Sequence, residues 1–221
     1  MRPANAARTR VLIVDDHAVV RLGITARLEI EPDLEVCGHA ATTTEAKRHI
    51  EHLRPDVVIL DLSLEAGSGL DLLKDLQAHG DKTRVLVVSG LDEAIYADRC
   101  VRAGASGFLS KTEAVDRIVE GIRCVHNGGF WFSEAVTNQI MAHLSSRKPD
   151  SGDPMRSLSD RELQVYEAIG AGLSVKQIAA RLFLSPKTVD TYRSKLKQKL
   201  GLDNSQQLAR HAVRWALDQT R

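Results

Sequence analysis

Cysteine is scarce in this chain of 221 residues: Cys37, Cys100 and Cys124 are all there is. They are odd in number, widely spaced and set in apolar or helical contexts, so a disulfide framework or a thiolate metal site does not fit. They read as packing residues of a protein kept in a reducing compartment. Long hydrophobic runs are missing as well. The opening stretch MRPANAARTR leads only into the apolar residues 11–14, too short for a signal segment or a membrane span. The expectation is a cytoplasmic protein with no membrane partner. No internal repeat is present.

Net charge is nearly absent too, at +1, but the balance is uneven along the chain. Up to Ser146 there are 16 Lys and Arg against 21 Asp and Glu, net −5; the remainder has 14 against 8, net +6. Opposite signs on the two parts suggest two domains, the second facing a polyanion. With 43% hydrophobic and 27% charged residues, each part can bury a core.

Apolar runs and amphipathic stretches alternate through the first part. Strands are expected at 10–15, 34–40, 56–61, 84–89 and 106–110. Helices are expected at 17–30, 44–53, 69–79, 93–103 and 113–127. Runs such as VLIV, VVIL and VLVV suit parallel strands buried on both faces. The spacing predicts an α/β domain over 8–131, a doubly wound five-stranded parallel sheet. A linker is expected over 132–157, holding a short helix capped by Ser133 and then the polar stretch SSRKPDSGDPMRS. A smaller all-α domain should follow at 158–221.

The stretch VVILDLSLEAGSGL sets a carboxylate, Asp61, directly after a buried strand. In an open parallel sheet, chemistry collects outside the carboxyl ends of the strands. Asp15 and Asp16 close the first strand at the same edge, Ser89 ends the fourth and Lys111 follows the fifth. Three converging carboxylates call for a hard divalent cation with oxygen ligands, Mg²⁺ above all. In outline this is a phosphoryl site: a nucleophilic carboxylate, a metal, a hydroxyl and a fixed ammonium. A single strand-end Asp is more often a turn former or a helix cap. It is the joint placement on four strands that carries the signal.

In the second part, Ser159 with Glu162 and Ser174 with Gln177 form capping boxes, and Ser185 followed by Pro186 starts a third helix. Helices are expected near 160–171, 175–183 and 186–200. The last two, joined by so short a turn, make a helix-turn-helix candidate. Lys187, Arg193, Lys195, Lys197 and Lys199 make the final helix basic, while Val189, Tyr192, Leu196 and Leu200 hold one apolar stripe. A basic helix is often only a solvated face, but the net charge of +6 favours DNA. A further helix from about Ser205 aligns Leu208, Ala212, Trp215 and Ala216, to complete the core or to form a dimer seam.

These motifs identify a resemblance. Residues 8–131 are similar to a response-regulator receiver domain with the flavodoxin-like fold. LSDRELQVYEAIGAGLSVKQIAARLFLSPKTVDTYRSKLKQKLGL resembles a LuxR-type helix-turn-helix. Together they resemble the NarL/FixJ family of two-component regulators. The resemblance implies that Asp61 accepts a phosphoryl group from a histidine kinase. It implies a Mg²⁺ site of Asp15, Asp16, Asp61 and the backbone carbonyl of Ser63, with Asp16 a direct ligand. Ser89 would contact the phosphoryl oxygens, Lys111 would pair with the group, and Phe108 would be the aromatic that reorients. It makes 186–200 the recognition helix in the major groove of double-stranded DNA, with Lys187, Thr188, Val189, Asp190, Tyr192, Arg193 and Lys197 on it and Lys176 near phosphates. It favours a homodimer contact through the last helix, aligning half-sites about one DNA turn apart. The chain departs from the family where Leu64 and Glu65 replace the common Met-Pro; Leu keeps the bulk, while losing Pro frees φ and Glu adds a carboxylate. Asp190 stands where many relatives are basic.

Two other classes compete. A phosphohydrolase on this scaffold generally needs an Asp two residues beyond the nucleophile, where this chain has Ser63, so an enzyme is not expected. An atypical regulator of the same fold, controlled by ligand or protein binding without phosphorylation, would be favoured by a broken acidic cluster, and the cluster is intact.

Overall fold

The computed structural model describes residues 8–64, 67–80, 83–145 and 154–219. The chain divides into two compact units, at Thr137/Asn138.

Five β/α pairs build the first unit: β1 (Thr9–Val14), α1 (Ala18–Glu29), β2 (Leu34–Ala40), α2 (Thr43–Leu53), β3 (Val57–Leu60), α3 (Gly69–Ala78), β4 (Arg84–Ser89), α4 (Glu93–Arg102), β5 (Gly107–Ser110) and α5 (Ala114–His126). The strands are parallel in the order β2-β1-β3-β4-β5. This is the doubly wound sheet the apolar runs predict, with ends shifted by a residue or two. The middle strands β1 and β3 are buried along both faces because helices cover each side. Val11, Ile13, Ile59 and Leu86 pack against Leu28, Ile118 and Ile122 on one of those sides.

The order reverses at β1, and this positions the functional edge. Val14 pairs with Leu60 in the β1/β3 register. The ladder continues one step further, as the Asp61 amide donates to the Val14 carbonyl (2.8 Å) and the Asp15 amide to Ala40 (3.1 Å). At the other side the Lys111 amide donates to the Ser89 carbonyl (2.9 Å). Four side chains distant in sequence thus leave the sheet along one row. Trp131 adds a final rung beside β5, its amide and carbonyl bonding Ser106 and Phe108.

The helix α6 (Glu134–Ser145) begins where the sequence places one, and the Ser133 hydroxyl accepts from the Val136 amide (3.2 Å). Residues 146–153, most of the polar stretch of the expected linker, lie outside the described residues. Its last part is not extended: Pro154–Ser157 form a 3-10 turn, and Met155 is buried.

The second unit holds α7 (Asp160–Gly170), α8 (Val175–Arg181), α9 (Pro186–Leu200) and α10 (Ser205–Gln219). Both capping boxes form. Tyr166, Ile178, Val189, Leu196, Leu208 and Ala212 are buried. The Tyr166 hydroxyl bonds His211 Nδ1 (2.6 Å), and its ring meets Trp215 edge-on at 5.5 Å. Of the two roles open to the α10 stripe, the core is the one its packing fills, while Val213 and Leu217 of the same helix stay exposed. Leu208 and Ala212 are fully buried, Trp215 and Ala216 are half-buried, and α10 packs on α7, so that stripe closes the domain's own core. Among the described residues, no helix is long and apolar enough to cross a membrane.

Candidate functional site

At the carboxyl edge of the sheet the predicted cluster is assembled. The Lys111 ammonium lies 2.7 Å from Asp15 Oδ2 and 2.7 Å from Asp61 Oδ2, and both carboxylates are almost wholly buried. Burial alone would lower the lysine pKa, but the two carboxylates outweigh it and hold the ammonium more firmly protonated than usual. One partly exposed cation between two buried anions is what keeps this arrangement tolerable.

Each carboxylate is also oriented. Asp61 Oδ1 accepts from the Ser63 amide (3.1 Å), and Asp15 Oδ1 accepts from the His17 amide (2.7 Å). His17 Nδ1 lies 2.7 Å from Asp16 Oδ1. Ligand atoms of Asp15, Asp16, His17 and Asp61 all lie within 4.8 Å of one another. The carboxylates are the hard oxygen donors that Mg²⁺ takes; an imidazole is not. His17 was passed over in the sequence because it reads only as the start of a helix. Its place directly after the Asp pair was the available signal. Arg21, one turn into α1, donates to the Asp15 carbonyl and was likewise not anticipated.

The small residues after Asp61 have a steric reason. A Cβ on Gly69 would stand 2.3 Å from the Asp61 carbonyl oxygen and 2.7 Å from Leu62 Cα, so only glycine lets α3 start against the loop after Asp61. Leu64 is buried, in keeping with a hydrophobic anchor there. Glu65 lies outside the described residues.

Ser89 is fully buried, and its hydroxyl accepts from the Leu91 amide (3.3 Å). Phe108 is buried at 2% exposure. The ring expected to reorient lies inside the domain.

In the second unit the eight named DNA residues do not share one face. Val189 is at 0% exposure and belongs to the core, which corrects its place in the DNA set: it packs with Leu196 one side of α9 against the domain. The outward face follows from that at 100° per residue: Lys187, Asp190, Thr191, Ser194 and Lys195 are exposed, whereas Tyr192, Arg193 and Lys197 flank the buried side. Thr188 is half-buried and Lys176 is exposed on α8. Arg193 pairs with Asp190 (3.0 Å). Lys199 is structural, bonding buried Glu162 (2.6 Å) and the Ser157 carbonyl (3.0 Å). Thr191 and Ser194 carry no charge, so the basic pattern of the helix does not single them out.

Comparison with known proteins gives two family matches. Residues 11–123 match the response regulator receiver domain, and residues 156–212 match the bacterial regulatory proteins of the luxR family. The oxygen regulatory protein NreC of Staphylococcus carnosus is 32% identical over 210 residues, spanning 93% of this chain and 97% of NreC. Among solved structures, Salmonella typhimurium RcsB aligns with a TM-score of 0.73 at 24% identity, covering 94% of this chain and 98% of that one, a likeness of fold. The response regulator ChrA of a heme-sensing two-component system aligns at 0.52 and 28% identity, over 95% of this chain and 98% of its own.

Proposed function

The chain belongs to the response regulators that join a receiver to a luxR-type regulatory domain, and from that premise we propose that it is a transcription regulator switched by phosphorylation of Asp61. The observation that carries this reading is the Lys111 ammonium set 2.7 Å from both Asp15 and Asp61, in a cluster of three carboxylates. A structural strand-end carboxylate needs no such company.

The acceptor is Asp61. One of its oxygens bonds phosphorus as the P–N bond of a phosphohistidine on the partner kinase breaks, giving an acyl phosphate. Asp15, Asp16, Asp61 and the Ser63 carbonyl would hold Mg²⁺, which when bound would offset the charge of the carboxylates and of the incoming phosphoryl oxygens. Lys111 bridges Asp15 and the acceptor and pairs with the transferred group. The Ser89 hydroxyl accepts from Leu91, which leaves its proton for a phosphoryl oxygen. That draw on Ser89 is relayed past Phe108 to the α4 and α5 surface. Phe108 is buried on β5, and the relay works by biasing a two-state equilibrium in which this ring takes part.

The output is double-stranded DNA, read by α9 with Lys176 of α8 on phosphates. Domain limits of 8–131 and 158–221 follow the sequence reading, the second extended back to Pro154 by the buried Met155. We place the regulator in the cytoplasm, as a homodimer when phosphorylated. A pairing contact through the last helix would use its exposed Val213 and Leu217, since the stripe of Leu208 and Ala212 is spent on the core.

The test is incubation with acetyl phosphate and Mg²⁺. One phosphoryl group should appear by intact mass, and none on Asp61→Asn. Undiminished labelling of that variant would move the acceptor elsewhere.

A further inference from the structure

The turn between α8 and α9 carries a residue that its backbone disfavours. Leu182 caps α8; the Leu184 amide donates to the Ala179 carbonyl (2.8 Å) and the Phe183 amide to Ala180 (3.4 Å). This pair of bonds is a Schellman motif, whose residue after the cap is left-handed and is usually glycine. Here it is Phe183, with φ of 54°. A bulky side chain at positive φ is uncommon. The ring, moreover, is 82% exposed, so the core gains nothing from it. Backbone strain and an aromatic ring left in water coincide at one position, and that points to a role outside the fold.

The surroundings say what covers the ring. Lys176, Ala180 and Phe183 follow one another at spacings of four and three and are all exposed, on α8 and at its end. Arg181 and Lys187 flank the turn in sequence and are exposed. Ser185, two residues on, caps α9, its hydroxyl accepting from the Thr188 amide (3.1 Å). An apolar ring among cations, beside the start of a helix with an outward polar face, matches the major groove, whose apolar feature is the thymine methyl.

We propose that Phe183 reads a base: its ring lies on the 5-methyl group of a thymine at the edge of the half-site entered by α9. This rests on the DNA-binding reading above and deepens it. The Schellman bonds fix the backbone that aims the ring, and the strain is the cost of placing an aromatic group where glycine would fold better.

The test uses full-length protein and Phe183→Gly at one salt concentration. The probe is a duplex selected by the wild-type protein from a random-sequence pool, with single thymines then replaced by deoxyuridine. Glycine suits the turn, so the variant should melt no lower than wild type. Wild type should lose about 4-fold in affinity at one thymine of each half-site, the value of one buried methylene. Phe183→Gly should bind the thymine duplex more weakly and be indifferent to that replacement. Equal affinity of the two proteins, or a loss in the variant that is the same on both duplexes, overturns the proposal. If the wild-type protein selects no sequence from the pool, the DNA-binding reading itself fails, which is seen before any variant is compared.

Discussion

In the first unit Asp15, Asp61, Ser89 and Lys111 arrive from four strands and meet because backbone hydrogen bonds place them on one row; in the second, the proposed DNA face lies on a single helix and the turn before it. The difference governs how each site tolerates change. At the sheet edge, position is set by the strands and identity is everything: a carboxylate, a hydroxyl and an ammonium have no substitutes. Along α9, identity is loose and direction decides. Lys199 is spent on Glu162 and Arg193 on Asp190, while uncharged Thr191 and Ser194 face outward.

The comparison breaks first, and with the largest effect, at Asp61. Asp61→Asn should abolish phosphorylation outright, because an amide is a poor nucleophile, while a fold melting close to wild type would show that the loss is chemical. Next is Gly69→Ala. Its methyl would collide with the backbone of Asp61 and displace the acceptor. A misplacement of about 1 Å costs on the order of 10²-fold in rate, so labelling by acetyl phosphate should slow by about that factor with DNA affinity of the unphosphorylated protein unchanged. Labelling at the wild-type rate would mean that the loop has slack the packing does not suggest.

A smaller effect lies in the second unit, at a cation that is basic in sequence and structural in fact. Burial would raise the Glu162 carboxyl pKa, but the Lys199 ammonium and the Ser159 amide outweigh it, so the net shift is downward. A depressed carboxylate contributes stability above its unfolded value of 4.5, and that contribution is lost as pH falls through the folded value. Lys199→Met should therefore destabilise this unit by about 1–3 kcal/mol at neutral pH, since it leaves Glu162 buried without its partner. The penalty should shrink as the solution is acidified below about pH 4.5, because a protonated Glu162 no longer needs the ammonium. Urea titrations at pH 7 and pH 4 decide it.

Smallest, and sharpest for the comparison, is a pair of substitutions on α9. Lys187→Ala should flatten the salt dependence of DNA binding by about one unit of slope, as a lost phosphate contact does. Thr191→Ala should leave that slope alone and change which sequences are preferred. The reverse pattern would mean that the helix is rotated from the orientation its buried Val189 and Leu196 imply.

How far the sequence carries differs between the units for the same reason. The five strands and Asp15, Asp16, Asp61, Ser89 and Lys111 were legible because buried parallel strands are continuous apolar runs, and what ends them is visible as polar residues. Arg21 and the steric demand at Gly69 were not, since each acts on a backbone atom through a close approach that no residue pattern encodes; His17 was signalled only by its place after the Asp pair. On α9, charge singled out the helix but misled about its residues: Val189 is core, Lys199 is a strut, and the half-buried Arg193 is tied to Asp190. For α10 the apolar stripe was plain, but whether it faces its own domain or another copy depends on where α7 lies, which periodicity does not tell.

The most direct test joins the two regions. Full-length protein and Asp61→Asn are titrated on one selected duplex at one salt concentration, each with and without acetyl phosphate and Mg²⁺. A switch built as described should tighten wild-type binding by about 5- to 150-fold on phosphorylation and leave Asp61→Asn unmoved. Equal wild-type affinity in both states, with Asp61 shown to be phosphorylated, would contradict the account by separating the phosphoryl site from the DNA output.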